Sequence, residues 1–373
     1  MFRNYDFRRY DFLLALLVIG VAIFGIIAIS SASEDEFYKR QILGLLLGII
    51  AMVVMSLIDY KLIGKFYWVI YFVNIGLLLY VLAFGHTVNN ATRWINLEFI
   101  NIQPSEFSKI FMTIFIAVYL HKNKDRINNF IVLIGLGVLV AIPTFLISQQ
   151  PDLSTSLVLM FILVMMIFVA GINYKYILIA LGLLIPAVIT LFWYVEQPDQ
   201  RLLEDYQVRR IMSIRYPEDY LLEEGWQQFN SISAIGSGQL HGKGIASGEV
   251  TSVNNANYLS EPQTDFIFAI IGEELGFIGT SLLLIVLLTI LLKCILIAKD
   301  ATDMYGVLIV VGVVSIILFQ TFVNVGVATA LLPNTGIPLP FVSYGISSLV
   351  STMMGIGIIL NISMQRKSLF KRG

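Results

Sequence analysis

A few ionisable residues lie inside or at the rim of otherwise apolar segments, and each is a candidate for chemistry. Asp265, in Glu261-Pro-Gln-Thr-Asp-Phe-Ile-Phe268, stands where a long polar stretch gives way to an apolar one. Insertion scales put an acid at mid-span at a cost of about 2.5–3.5 kcal/mol, so a carboxylate at such a place is a functional candidate by default. It can take a proton as a general base. It can equally hold a divalent ion, Mg or Mn, through hard carboxylate oxygens. The plainer alternative is that Thr264 or Asp265 caps the helix that follows. Glu106 and Lys109 are three apart on one helical face, where they either neutralise each other or meet a substrate. Asp152 follows Pro151 and opens another apolar run, a normal place for a helix-starting carboxylate, and it is equally a candidate substrate contact. Glu273 and Glu274, between Gly272 and Gly276, fall about 12 Å along a helix from Asp265 and read as structural braces. Arg93 supplies positive charge from a neighbouring polar segment, and Arg210 from the longest one.

These residues need elements to hold them, and composition says which. The chain is 57% hydrophobic and 13% charged, with a mean hydropathy of +0.82, which marks a polytopic membrane protein and not a soluble globule. A span needs roughly 20 apolar residues. Such windows fall near 12 to 29, 42 to 58, 66 to 84, 105 to 120, 130 to 147, 153 to 170, 175 to 194, 266 to 292, 304 to 326 and 346 to 362. Continuous runs, not ten-residue alternation, make them helices and exclude a barrel, so the fold class is all-α with about ten transmembrane helices. With both termini inside, the inner segments hold fifteen Lys and Arg, and the short outer loops hold only Lys39, Arg40 and Arg93. That bias places both termini in the cytoplasm. Arg8 and Arg9 before the first run suggest a signal peptide, but at about 18 residues the run exceeds an ordinary h-region and reads as a retained helix. The single Cys294 excludes an internal disulfide and reads as core filling. His86, His121 and His241 are scattered, with no zinc spacing, and no Gly-x-Ser-x-Gly elbow occurs. No organic cofactor and no nucleic acid partner are expected.

Residues 1–373 read as one transmembrane domain with one long extracytoplasmic loop, 195–264. Within it, Arg201 to Tyr216 has apolar residues near helical spacing beside four arginines, as in an interfacial helix. Ser231 to Asn257 is rich in Gly, Ser and Asn. Its Gly236-Ser-Gly-Gln-Leu-His-Gly-Lys-Gly244 imitates a phosphate-cradling loop without matching a nucleotide-binding spacing, and a flexible loop packed at the helix mouth is the expected reading. Residues 85 to 104 form a second outer loop. Residues 327 to 345 form a third, apolar and carrying Pro333, Pro338 and Pro340, and its backbone is expected to be partly re-entrant and buried in protein.

Four stretches together resemble the SEDS family of shape, elongation, division and sporulation proteins. They are Arg93-Trp-Ile-Asn-Leu with Gln103-Pro-Ser-Glu-Phe-Ser-Lys109, Gln150-Pro-Asp-Leu-Ser-Thr155, Glu261 to Gly276, and Leu332-Pro-Asn-Thr-Gly-Ile-Pro-Leu-Pro-Phe-Val-Ser-Tyr-Gly345. The resemblance runs in order over essentially the whole chain. It implies a peptidoglycan glycosyltransferase that polymerises lipid II at the outer face of the cytoplasmic membrane, partnered by a class B penicillin-binding protein. Asp265 matches the family's essential aspartate and Arg93 the arginine of its Arg-Trp motif. Ser154 and Ile346 stand where the family commonly has Gly, and Asn101 stands where some members carry a second basic residue. A phosphate contact then falls to Lys109 or Arg210. The short terminal segments fit an elongation protein better than a division protein, with sporulation as a further alternative. A flippase for lipid-linked precursors shares the buried charges, but such carriers usually bind near the midplane in broken helices and show paired repeats. A non-catalytic scaffold leaves Asp265 unexplained.

Overall fold

A computed structural model describes residues 5–33, 35–88, 91–97, 100–195, 197, 208, 212, 224–245, 259 and 261–365. Each of the ten apolar windows coincides with a helix: α1 Phe12–Ala32, α2 Asp35–Leu57, α4 Tyr67–Phe84, α5 Pro104–Lys122, α6 Phe130–Ser148, α7 Leu153–Val169, α8 Tyr174–Val195, α10 Ile267–Lys299, α11 Met304–Ala328 and α12 Ile346–Met364. Two shorter α-helices, α3 Tyr60–Lys65 and α9 Glu224–Ser237, and two 3-10 turns, Phe7–Arg9 and Lys124–Arg126, complete the described helices. Among the described residues seven helices are long and apolar enough to cross a membrane, and α7 is apolar but shorter. The fold is that of a predominantly helical, polytopic membrane protein. Its core lies between α5, α10, α11 and α12, while exposed Leu, Ile and Phe side chains coat the outer helices.

The loop expected at 85 to 104 instead contains a small sheet, β1 His86–Val88, β2 Ala91–Leu97 and β3 Ile100–Ile102. The strands pair as an antiparallel meander, with His86 opposite Trp94 and Ile95 opposite Ile102. β-Branched and aromatic residues favour the extended chain here, and their short runs lack the helical period that the spans display.

α1 and α10 are latched at both ends. Lys293 Nζ lies 3.3 Å from Asp11 Oδ2, and the Ser31 hydroxyl donates to Glu274. Along α1 these latches stand about 30 Å apart at 1.5 Å per residue, matching a hydrocarbon core. The exposed apolar stripe of α10 runs through the same interval, from Phe277 to Leu296.

The window at 266 to 292 is not one continuous helix. α10 breaks at Gly276, at φ 64° and ψ −162°. The nine residues before the break form a short half-helix, nearly all buried, and the lipid-facing stripe starts just after it. Backbone groups freed by the break are taken up by residues 239–244. Lys243 N–H donates to Glu273 O at 3.0 Å and Gly244 N–H to Glu274 O at 2.9 Å, while Phe277 N–H donates to Gln239 O at 2.9 Å and Ile278 N–H to Leu240 O at 3.2 Å. Irregular backbone near a membrane is tolerable only when paired in this way. The segment read as a Gly-rich flexible loop is thus partly helical, as α9, and then wedged into α10. Its amide donors serve protein carbonyls, so the resemblance to a phosphate cradle has a packing cause. Part of the segment, 246–258, lies outside the described residues, as does most of the interfacial helix expected at 201–216.

A β-carbon at Gly276 would meet Gly242 N and come within 2.7 Å of Leu240 O, in a conformation essentially reserved for Gly. Gly276→Ala is expected to cost about 1–3 kcal/mol, read as a lower thermal midpoint in detergent; an unchanged midpoint would mean that the wedge relaxes freely.

Residues 5–6 meet residues 361–364 at the far end of the bundle from Asp265. Asp6 N–H donates to Met364 O at 3.1 Å, and Asn361 Nδ2 donates to the Tyr5 hydroxyl at 2.9 Å. Nearby, Asp303 caps α11 through Gly306 N–H at 2.8 Å, accepts from the Tyr60 hydroxyl at 2.9 Å and pairs with Lys61 at 3.2 Å. Burial works against its charge, but the Gly306 amide, the Tyr60 hydroxyl and Lys61 outweigh it and hold the carboxyl below its ordinary range. A depressed carboxylate contributes stability above its unfolded pKa of about 3.9 and loses it as pH falls through the folded value. Asp303→Asn should therefore narrow its stability gap to wild type as pH drops from neutral to below about 4, measured by thermal unfolding across pH; a gap independent of pH would contradict this.

Candidate active site

Asp265 lies in the turn that leads into α10. The N-cap of that helix is Phe266, whose side chain makes no cap bond, so Asp265 stands one residue outside it. Three successive residues of the turn are tied down, the first two by the proline-rich loop between α11 and α12 and the third by α11 itself. Tyr344 N–H donates to Gln263 O at 2.8 Å, the Ser343 hydroxyl to Thr264 O at 2.6 Å, and Asn324 Nδ2 to Asp265 O at 2.9 Å. Asn324 Nδ2 also donates to Ile337 O at 2.8 Å, within the loop. Gly336, at φ 70°, runs beside the carboxylate, and a β-carbon there would stand 3.4 Å from Asp265 Oδ2.

The loop has little regular structure, yet Ile337, Leu339, Phe341 and Val342 are almost fully buried. Its polar backbone is met by side chains: Gly345 N–H donates to Gln41 Oε1 at 3.0 Å, Leu339 N–H to the Ser343 hydroxyl at 2.8 Å, and Gln228 Nε2 to Leu332 O at 2.7 Å. Buried backbone must be paired somewhere, and a loop without a ladder borrows its partners from the helices around it. Pro340 is buried in this loop and Pro333 is half-buried.

A chain of contacts leads from the loop to the other candidates. The Ser154 hydroxyl donates to Thr335 O, next to Gly336. Thus one position where the chain departs from the SEDS pattern serves as a tie to the proline loop. Two residues earlier, Asp152 is 3% exposed and caps α7 through Thr155 N–H at 3.1 Å. The same carboxylate accepts from Thr155 at 2.9 Å, Ser105 at 3.1 Å and Gln103 at 3.2 Å. Arg93 comes from β2 and donates through Nε to Gln150 O at 3.0 Å, and through a terminal nitrogen to Pro151 O. A guanidinium carries five donors, so these two bonds fix its plane and leave capacity for an anion.

Glu106 and Lys109 follow on α5 as an ion pair of 2.7 Å, with side chains 6% and 1% exposed. The two pair with each other inside the bundle, where little of either side chain is exposed. Glu273 and Glu274 lie at the other end of the half-helix from Asp265. Glu273 pairs with Lys243 at 2.7 Å, and Glu274 receives the Ser31 hydroxyl. Arg210 lies outside the described residues. The sequence reading missed Gln41, Asn324 and Ser343, which hold the loop and the turn; polar residues within or beside apolar windows were the signal.

A helical membrane bundle that holds a carboxylate against a buried proline loop, itself tied through Ser154 to the segment that Arg93 bonds, defines the class, and the comparisons give the family. The model for the FtsW, RodA and SpoVE family, described as cell cycle proteins, matches residues 8–368. The chain belongs to this family, the SEDS proteins. It is similar to the stage V sporulation protein E of Bacillus subtilis, 38% identical with 95% of this chain and 96% of the relative covered. It is also similar to the peptidoglycan glycosyltransferase MrdB of Escherichia coli K12, 33% identical with 98% and 97% covered. Among solved structures, it resembles a chain of a peptidoglycan synthase complex that coordinates polymerization and crosslinking. That match has a TM-score of 0.81 at 27% identity, covering 95% of this chain and 97% of the other. The rod shape determining protein RodA of Thermus thermophilus shares the fold, with a TM-score of 0.70 at 24% identity, covering 96% and 98%.

Proposed function

We infer that this protein is a peptidoglycan glycosyltransferase of the cytoplasmic membrane, polymerising lipid II into glycan strands at its outer face. The observation that carries the reading is the site's build: Asp265 pinned at three consecutive residues beside a buried loop, in a chain alike over nearly its full length to a named glycosyltransferase. The excess of Lys and Arg on the segments at the terminal end puts that end in the cytoplasm and Asp265 outside.

In the reaction, the acceptor's sugar hydroxyl attacks the anomeric carbon of the donor. The bond from that carbon to the pyrophosphate breaks, polyprenyl pyrophosphate leaves with the bonding electrons, and the hydroxyl proton passes to the Asp265 carboxylate. Arg93 neutralises leaving-group charge with its remaining donors, an electrostatic contribution often among the largest in catalysis. Glu106 with Lys109, and Asp152, act as internal supports of the corner beneath it, and Arg210 is an additional phosphate contact. Glu273 and Glu274 brace the half-helix, and Pro333 and Pro340 stiffen the loop. Among the described residues no group of three or more His, Cys, Asp or Glu side chains gathers as a cation cage. A Mg or Mn ion at Asp265 would take its other oxygens from substrate phosphates and water, a common habit of Mg. A class B penicillin-binding protein is the proposed partner, as the transpeptidase that crosslinks the strands.

The broken helix at Gly276 is a feature flippases use, but here the wedge of residues 239–244 fills the break. The test supplies lipid II to purified protein, alone and with a class B penicillin-binding protein, with and without Mg or Mn. Glycan strands are expected. Movement of the precursor across liposomes with no strands from any preparation would replace this reading with the flippase.

A further inference from the structure

We propose that Asn324 is the positioning residue for Asp265, an inference that rests on the glycosyltransferase reading. Asn324 sits in α11, an otherwise strongly apolar helix, and is 1% exposed. A polar side chain so placed calls for an account. Its Nδ2 serves two carbonyls from two separate segments, Asp265 O at 2.9 Å and Ile337 O at 2.8 Å. Its Oδ1 is buried with no hydrogen-bond partner among the described residues. An unsatisfied buried acceptor costs stability, and an apolar residue of similar size would avoid that cost. What the amide alone provides is two N–H donors in a rigid fork.

The fork ties the backbone of Asp265 to the loop residue that follows Gly336, and Gly336 is the residue beside Asp265 Oδ2. One side chain therefore sets both the origin of the carboxylate and the wall it lies against. The other ties to this turn, at Gln263 and Thr264, act on its earlier residues. Asn324 touches no reacting atom in this scheme. It acts through Asp265, and its loss appears as a displaced base with substrate binding kept.

A matched control reaches the same loop from α9. Gln228 also uses one amide nitrogen on two carbonyls, Val327 O at 3.4 Å and Leu332 O at 2.7 Å, and is buried, yet neither bond reaches the Asp265 turn. Steady-state polymerisation of lipid II would be measured for wild type, Asn324→Leu, Asn324→Ala and Gln228→Leu, together with thermal midpoints. Misplacing a reacting group by about 1 Å costs on the order of a hundredfold in rate. Both Asn324 variants are therefore expected to lose kcat on that order, with KM for lipid II near wild type. Gln228→Leu should lose a comparable part of its thermal midpoint and keep kcat near wild type. Equal kcat losses at the two sites, or full kcat in a folded Asn324 variant, would overturn the positioning role. Wild type that forms no strands would instead remove the glycosyltransferase reading and this inference with it.

Discussion

Asp265→Ala is expected to abolish glycan-strand formation while leaving the bundle folded. General-base catalysis contributes about 10²–10⁴-fold, and lost electrostatic organisation at the reacting centre adds to that, so polymer from the variant should fall below detection. The folded state should tolerate the change. Asp265 is only partly buried, its turn is held through backbone carbonyls that alanine keeps, and the N-cap of α10 is the next residue. Asp265→Asn adds a sharper comparison, since it keeps the shape and removes the proton acceptor. Strand yield at wild-type level from either variant, measured at matched protein and lipid II concentration, would remove Asp265 from the chemistry. A thermal midpoint far below wild type would reassign it to the fold.

The largest loss of stability is expected from Lys109→Met. The ammonium and the Glu106 carboxylate lie 2.7 Å apart in the interior, and removing one partner strands the other charge. Breaking a buried pair in this way costs about 3–5 kcal/mol, a large part of the 5–15 kcal/mol that holds a typical domain. The double variant Glu106→Gln with Lys109→Met removes both charges and should regain most of that loss. Thermal unfolding of wild type, single and double variants forms the cycle, and a single variant as stable as wild type would show that the pair carries no such weight. Glycan synthesis by the double variant then separates a purely internal pair, which predicts strands, from a lysine that meets substrate phosphate.

How legible all this was in the sequence depended on which physical signal each part sends. Spans announce themselves through length and hydropathy, so all ten windows fall on helices, although α2 starts and α10 ends about seven residues outside its window. Asp265 and Asp152 stood out because carboxylates beside apolar runs are expensive. The broken helix at Gly276 sent no such signal: Gly occurs within spans for many reasons, and only the backbone of residues 239–244 passing beside it shows that a β-carbon has no room. The small sheet was hidden by its short strands, whose pairing depends on tertiary context more than on propensity. Asn324 was one of several polar residues in a long apolar window, with Ser315 and Gln320, and its significance lies in two carbonyls distant in sequence.

The wedge at Gly276 decides where this protein can be tagged or shortened. Four backbone hydrogen bonds cross between residues 239–244 and α10, so the stretch is architecture and not a dispensable surface excursion. A cleavage site, fluorescent fusion or deletion placed there would unpair α10 beside the lipid boundary and loosen the half-helix that begins just after Asp265. Tolerance to insertion follows backbone pairing and burial, not distance from the catalytic centre.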